Sequence, residues 1–177
     1  MSALSNLTIV DMSRILAGPF ATQNLADMGA NVIKIEHPKG DDTRRWGPPF
    51  VGRADGTTDA TYYFCANRNK TNVLLDFTIE SDRAQLIKLI KTADVLIENY
   101  KVGSLKKYGL DYTSIQQINP NIIYCSITGF GQSGPYKDRP GYDALIQAMG
   151  GLMSITGEAD GAPQKVGVAV VDLMTAL

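Results

Sequence analysis

Apolar and polar positions change their period several times along the chain. Leu7–Asp11, "LTIVD", is a short β-branched run and predicts a buried strand. The next stretch, "SRILAGPFATQNLADMGA", places Gly18 and Pro19 at a turn. Pro19 suits the first turn of a helix, where its missing N–H is not needed. Phe20, Leu25 and Met28 would give that helix its buried face, and Gly29 its left-handed terminator. Asn31–His37, "NVIKIEH", predicts a second strand and closes a βαβ unit with a parallel pair.

A long polar loop, "PKGDDTRRWGPPFVGRADGTTDAT", comes next; such length in a compact domain marks a functional or mobile segment. "YYFCANRNKTNVLLDF" predicts a short apolar segment, a basic turn and a strand near Val73–Asp76. Leu86, Ile87, Leu89 and Ile90 fall on one helical face. "DVLIEN" predicts a strand ending at Asn99, and "DYTSIQQINP" a short helix stopped before Pro120. "NIIYCSITGFG" reads as another buried strand running into glycine, and "YDALIQAMGGLMS" as a helix ending at Gly150 and Gly151. The apolar run Val166–Val171 then reads as a strand closed by Asp172. The alternation predicts an α/β fold with at least four parallel strands, without repeats, low-complexity tracts or an interdomain linker.

Composition narrows the function classes. The 177 residues are 44% hydrophobic and 20% charged, as in a soluble globular domain. Lys plus Arg is 17 and Asp plus Glu 18, a net charge of −1 that argues against nucleic-acid or membrane-surface partners. No apolar stretch is long enough to span a bilayer, and the N-terminus lacks the basic flank and apolar core of a signal peptide. The expected location is cytoplasmic, or the mitochondrial matrix where a targeting segment has been removed. Cys65 and Cys125 lie far apart in apolar stretches and read as buried thiols of a reducing compartment. With one histidine, His37, neither a zinc site nor a Ser-His-Asp triad is expected, and no metal is called for.

In open α/β sheets, ligands bind at the carboxyl ends of the strands. There the chain places Ser13–Gly18, then His37, then Asp76 and Phe77, then Glu98–Lys101 with Lys106 and Lys107, and finally Gly129–Gly131 ahead of Arg139 and Tyr142. Small residues, rings and cations gathered at one edge suit a phosphorylated, adenine-bearing ligand. The plainer reading is ordinary turn glycines and solvated lysines. "AGPFATQ" carries one glycine where a dinucleotide fingerprint needs three, and the P-loop pattern is missing, so a dehydrogenase is disfavoured. Asp172 admits two compatible readings. One is a partly desolvated carboxylate with a raised pKa, suited to nucleophilic attack. The other is an N-cap opening the helix "LMTAL".

Several stretches carry a resemblance. "LTIVDMSRILAGPFATQNLADMGANVIKIEHPKGDDTR", "NRNKTNVLLD", "ADVLIENYKVGSLKKYGL", "NPNIIYCSITGFGQSGPYKDRPGYD", "GGLMSITGE" and "GAPQKVGVAVVDL" occur in this order. Each is moderately specific; together, in register, they are highly specific. The chain resembles the family III CoA-transferases, the CaiB/BaiF family, over essentially its whole length. The resemblance implies a Rossmann-like parallel sheet with flanking helices. It implies transfer of CoA from an acyl-CoA to a carboxylic acid, with CoA as substrate and no permanently bound cofactor. Asp172 falls on the family's nucleophile, which forms an aspartyl-acyl anhydride and then an aspartyl-CoA thioester. The implied CoA contacts are Ile15, Leu16, Ala17, His37, Leu75, Asp76, Phe77, Thr78, Asn99, Tyr100, Lys101, Lys107 and the segment Arg139–Asp143 with Tyr142.

Three positions depart from the formyl-CoA transferases. Leu16 stands where they have glutamine, His37 where they have arginine, and Thr78 where lysine can occur. The loss of the glutamine argues against a strict formyl or oxalyl preference. "GYD" at Gly141–Asp143 replaces the "GHD" of the related α-methylacyl-CoA racemases; a tyrosine, with a pKa of about 10, is a poor base near neutral pH. A racemase-like isomerase and a non-catalytic CoA-binding segment are the alternatives. "RRWGPP" and "YYFCANRNK" look most like a branch that handles dicarboxylates. Family members are longer. Residues 1–177 correspond to the first part of their large domain, without the small domain, the returning C-terminal part or the interlocked homodimer, so this segment is expected to be inactive alone.

Overall fold

The computed structural model describes residues 2–177. Its main sheet contains β1 (Thr8–Asp11), β2 (Asn31–Glu36), β5 (Lys70–Leu74), β6 (Val95–Glu98) and β7 (Ile123–Ser126). The order across the sheet is β5-β2-β1-β6-β7, and every pairing is parallel. The chain builds outward from β1 on one side through β2 and β5. It then returns to the other side through β6 and β7, as in doubly wound dinucleotide folds. The crevice between β1 and β6, where the winding reverses, is therefore where a ligand site belongs.

Helices cover both faces. On one, Val10, Ile35 and Leu96 pack with Leu86 and Ile90 of α3 (Glu80–Ile90) and Ile115 of α4 (Tyr112–Ile118). On the other, Ile9, Val32 and Ile97 pack against Ala26 of α1 (Ala17–Asp27). Strands buried on both faces need continuous apolar runs, which is what "TIV" and "VLI" supply. Two further helices, α5 (Asp143–Met149) and α6 (Val170–Thr175), follow β7.

Four expectations need correction. The buried face of α1 is formed by Thr22, Gln23 and Ala26, while Met28 is 53% exposed and Phe20 and Leu25 are half-buried. Polar side chains win this face because each finds a partner. Thr22 donates to Asp11 at 2.6 Å, and Gln23 donates to the Cys65 carbonyl at 2.9 Å and accepts from the Arg68 N–H at 3.0 Å. The long polar loop contains a hairpin, β3 (Phe50–Gly52) paired with β4 (Thr58–Ala60), and a short α2 (Thr61–Phe64). Cys65, at the end of α2, is exposed because its neighbours Tyr63 and Ala66 take the inward positions, and Cys125, on the edge strand β7, is half-buried. Finally, Val166–Val171 forms no strand: its first residues are irregular and Val170 opens α6.

Glu36, at the end of β2, anchors the segment after it. It is 3% exposed and accepts hydrogen bonds from the Arg44 guanidinium, the Asp41 N–H at 2.7 Å and the Asn72 amide at 2.6 Å. Arg44 also reaches Asp59 of β4 at 2.6 Å and lies 3.7 Å from the centre of the Tyr63 ring. Burial opposes ionisation of Glu36, yet these donors outweigh it and bring its pKa down from 4.5 to about 2. A carboxylate with a depressed folded pKa contributes stability that is present above its unfolded pKa and lost as pH falls through the folded one. Glu36 should therefore make stability fall between about pH 4.5 and pH 2. A Glu36→Gln variant is expected to show a shallower acid-unfolding profile by circular dichroism over that window; an unchanged slope would rule out this assignment.

Candidate active site

The first βα turn is built by side chains from three strands. Asp11, at the end of β1, is fully buried and accepts from the Ser13 N–H at 2.9 Å and from the Ser13 and Thr22 hydroxyls. Lys70 meets it at 3.0 Å and also donates to the Pro19 carbonyl at 2.8 Å. Burial raises the Asp11 pKa, but Lys70, Lys34 and the two hydroxyls outweigh it and hold the carboxyl below its ordinary range. Burial lowers Lys70 to about 8 despite Asp11. Lys34 of β2, 1% exposed, donates to the Ser13 carbonyl and to Asp41, each at 3.1 Å. Asn99, after β6, accepts from the Arg14 N–H at 2.8 Å and donates to the Arg14 carbonyl at 2.7 Å, tying β1 and β6 together across the switch point.

Above this turn lies a cavity of about 510 Å³. Its lining includes Ile15, Leu16 and Ala17 from the turn, Asn99, Tyr100 and Lys101 after β6, Arg139 and Tyr142 before α5, and Asp172 in α6. Arg14 and Lys137 add two more cations, and Ile127, Thr128, Gly129 and Val171 much of the remaining wall. Gly129 and Gly141 allow two loops to cross: a Cβ at Gly129 would sit 2.3 Å from the Gly141 Cα. Neither position can carry a side chain without moving backbone.

Asp172 is the third residue of α6 and makes no cap with its own side chain. The cap comes from Asp143, whose carboxylate accepts from the N–H groups of Val171 at 2.8 Å and Asp172 at 3.3 Å. Gln147, 1% exposed, donates to Asp143 and to the Val168 carbonyl and accepts from the Val166 N–H at 2.8 Å. These bonds take the polar backbone groups of Val166–Val171 that a strand would need, which is why the apolar run stays irregular. Half-burial, and then the neighbouring charge of Asp143, raise the Asp172 pKa. The result is a poorly solvated carboxylate facing a cation-rimmed cavity, a group able to attack an electrophilic carbonyl carbon.

A sequence model described as "CoA-transferase family III" matches residues 4–177. This chain belongs to that family. The succinate–glutarate CoA-transferase of Agrobacterium fabrum is 55% identical over 176 residues, covering 98% of this chain and 44% of its own length. The human succinyl-CoA:glutarate CoA-transferase is 50% identical over 175 residues, covering 98% and 39%. A crystal structure of a CaiB/BaiF family protein from Brucella suis superposes with a TM-score of 0.95 at 52% identity, covering 99% of this chain and 47% of that one. The chain thus spans less than half the length of these family III relatives.

The site residues implied by the family resemblance fall into two groups. Ile15, Leu16, Ala17, Asn99, Tyr100, Lys101, Arg139, Tyr142 and Asp172 share the cavity. His37, Leu75, Asp76, Phe77, Thr78 and Lys107 lie outside it. Phe77 links the groups, packing edge-on against Tyr100 at 5.4 Å and Tyr108 at 5.3 Å, and the Lys107 ammonium lies 4.8 Å from the Tyr108 ring centre. His37 is 3.3 Å from Asp76, which also accepts both the hydroxyl and the N–H of Thr78. Leu75 points into the core at 5% exposure. Gln147 and the charges beneath the turn escaped sequence reasoning, and Asp143, which the resemblance implied as a CoA contact, has the further role of capping α6. The "GYD" motif was the available signal for Asp143; nothing in the sequence paired Lys34 or Lys70 with distant carboxylates. Overpacking costs about 1–3 kcal/mol, so Gly141→Ala is expected to lower the melting temperature measurably. Gly52→Ala, where an added Cβ meets nothing within 4 Å, is expected to leave it unchanged. Equal melting of the two variants would contradict the crossing.

Proposed function

We propose that this chain is the CoA-binding part of the large domain of a family III CoA-transferase that uses a dicarboxylyl-CoA such as succinyl-CoA as donor. The observation carrying this reading is Asp172, half-buried beside Asp143, in the same cavity as the Ile15–Ala17 turn and four cations. The names of the relatives, succinate–glutarate and succinyl-CoA:glutarate CoA-transferase, support the dicarboxylate class. Arg14, Lys101, Lys137 and Arg139 supply positive charge for phosphates or for a second carboxylate. His37, Phe77, Thr78 and Lys107 extend the binding path towards the adenosine end of CoA.

In the proposed reaction the Asp172 carboxylate attacks the thioester carbonyl. The C–S bond breaks, CoA leaves as thiolate, and an aspartyl-acyl anhydride remains. The thiolate then attacks the aspartyl carbonyl, releases the donor carboxylate and gives an aspartyl-CoA thioester. An acceptor carboxylate attacks that thioester, and the released thiolate captures the acceptor acyl group, freeing Asp172. No further cofactor is required. Because residues 1–177 span less than half of the relatives, turnover is assigned to the full-length protein, a cytoplasmic or matrix homodimer.

Incubating the full-length protein with succinyl-CoA and trapping with hydroxylamine is expected to modify Asp172, read by peptide mass. Asp172→Ala should abolish the adduct and lower kcat about a thousandfold or more; an adduct persisting in that variant would refute the assignment. The nucleophile must be ionised, and the Asp143 charge raises its pKa. Asp143→Asn keeps an acceptor for the α6 N–H groups but removes that charge. The acid limb of the kcat/KM profile is therefore expected to move to lower pH. An unmoved limb would show that Asp143 does not tune Asp172.

A further inference from the structure

Among the described residues, Ile15 and Asn69 alone adopt positive φ without being glycine, at 71° and 60°. Asparagine tolerates this region; a β-branched isoleucine does not, because its Cβ crowds the following carbonyl. A strained residue persists only where its surroundings over-determine it, and around Ile15 they do. Lys34 holds the Ser13 carbonyl at 3.1 Å, and Asp11 holds the Ser13 N–H at 2.9 Å. Asn99 grips both polar groups of Arg14. The Ile15 N–H points to Asp41 at 3.4 Å, and Asp41 is itself fixed by Lys34 and by the Thr43 N–H and hydroxyl. Lys34 and Asp41 are each 1% exposed at the side chain. Replacing such a pair by neutral groups of similar shape is often harmless to stability, so stability alone does not explain an ion pair aimed at one strained turn.

We propose that Lys34 and Asp41 are positioning residues that hold Ile15 in its left-handed conformation, and so present the Ile15–Leu16–Ala17 backbone to the CoA thioester end beside Asp172. This rests on the proposed CoA-transferase reading and adds to it a source for the shape of the turn. Neither residue lines the cavity; both act through Ser13 and Ile15. The interaction is selective for the turn rather than for the chemistry, so its loss should appear in ligand affinity and KM rather than in kcat.

The test uses the full-length protein carrying Lys34→Met together with Asp41→Asn. Both charges leave at once, so no buried ion remains unpaired, and the new amide keeps an acceptor for the Thr43 N–H. The Kd for CoA by titration calorimetry and the KM for succinyl-CoA are expected to rise about tenfold, with kcat at saturation nearly unchanged. Adding Ile15→Gly should recover most of the affinity, because glycine takes positive φ without a Cβ penalty; a merely structural pair would show no such recovery. A folded double variant with parental CoA affinity, or one that glycine does not rescue, overturns the proposal. If the double variant fails to fold, single substitutions in the parent decide. Ile15→Gly is expected to melt above Ile15→Ala, and the opposite order overturns the proposal. A parent that binds no CoA overturns the CoA-transferase reading and this proposal with it, whereas a binding parent with an unaffected variant overturns this proposal alone.

Discussion

Two buried ion pairs, Asp11–Lys70 at 3.0 Å and Lys34–Asp41 at 3.1 Å, lie beneath the first βα turn. Each ion costs several kcal/mol to remove from water, and mutual attraction alone rarely offsets that cost. Here the remaining hydrogen-bonding capacity is also used. Asp11 accepts from Ser13 and Thr22, Lys70 donates to Pro19 and Asn67, Lys34 donates to Ser13, and Asp41 accepts from Thr43. The pairs therefore serve as fasteners between strands and turn. They link the end of β1 to β2 and β5, and they fix both ends of the segment from Ser13 to Pro19. A hydrophobic replacement could fill the same volume, but it would leave the turn's carbonyls and N–H groups without partners.

The sheet topology explains why the fasteners sit where they do. In the order β5-β2-β1-β6-β7, β1 is central and its carboxyl end borders the crevice where the winding reverses. Side chains from β2 and β5 reach that end from one side, and Asn99 reaches it from β6 on the other. Gly18 allows the close packing this requires, since a Cβ there would lie 2.3 Å from that of Ser13. Cavity, turn and ion pairs thus meet at one place, the carboxyl end of the central strand β1, where Asp11 closes the strand.

Much of this was readable from hydrophobic period. The central strands β2, β1 and β6 give apolar runs, and Gly29 ends α1 at φ 100° as expected. The edge strands differ: β5 starts earlier than the Val73–Asp76 run suggested, at Lys70, and β7 is half-exposed rather than buried. Of the site residues implied by the family motifs, most share the cavity and the others, such as His37 and Thr78, lie outside it; Arg14 and Lys137, which also line it, were not among them. What the pattern concealed has a common physical cause, namely polar groups satisfied by residues distant in sequence. Lys34 and Lys70 look like solvent-facing strand lysines until the fold brings Asp41 and Asp11 to them. Thr22 and Gln23 look like the wet face of α1 until Asp11 and the 65–68 turn meet them. Val166–Val171 has a strand's composition, yet Gln147 and Asp143 take the bonds a neighbouring strand would have made.

Asp143 shows how position and reactivity can be coupled in one contact. A neutral acceptor at that site would also cap α6 and hold Asp172 in place. A carboxylate does this and adds a negative charge that disfavours a second one beside it. The cost falls on the ionised form of Asp172, which burial already leaves short of solvent. In the proposed reaction that charge is shared with the thioester carbon, and the new bond removes the like-charge contact. The residue that orients the helix thus also disfavours the ionised form of Asp172, a carboxylate that lines the cavity.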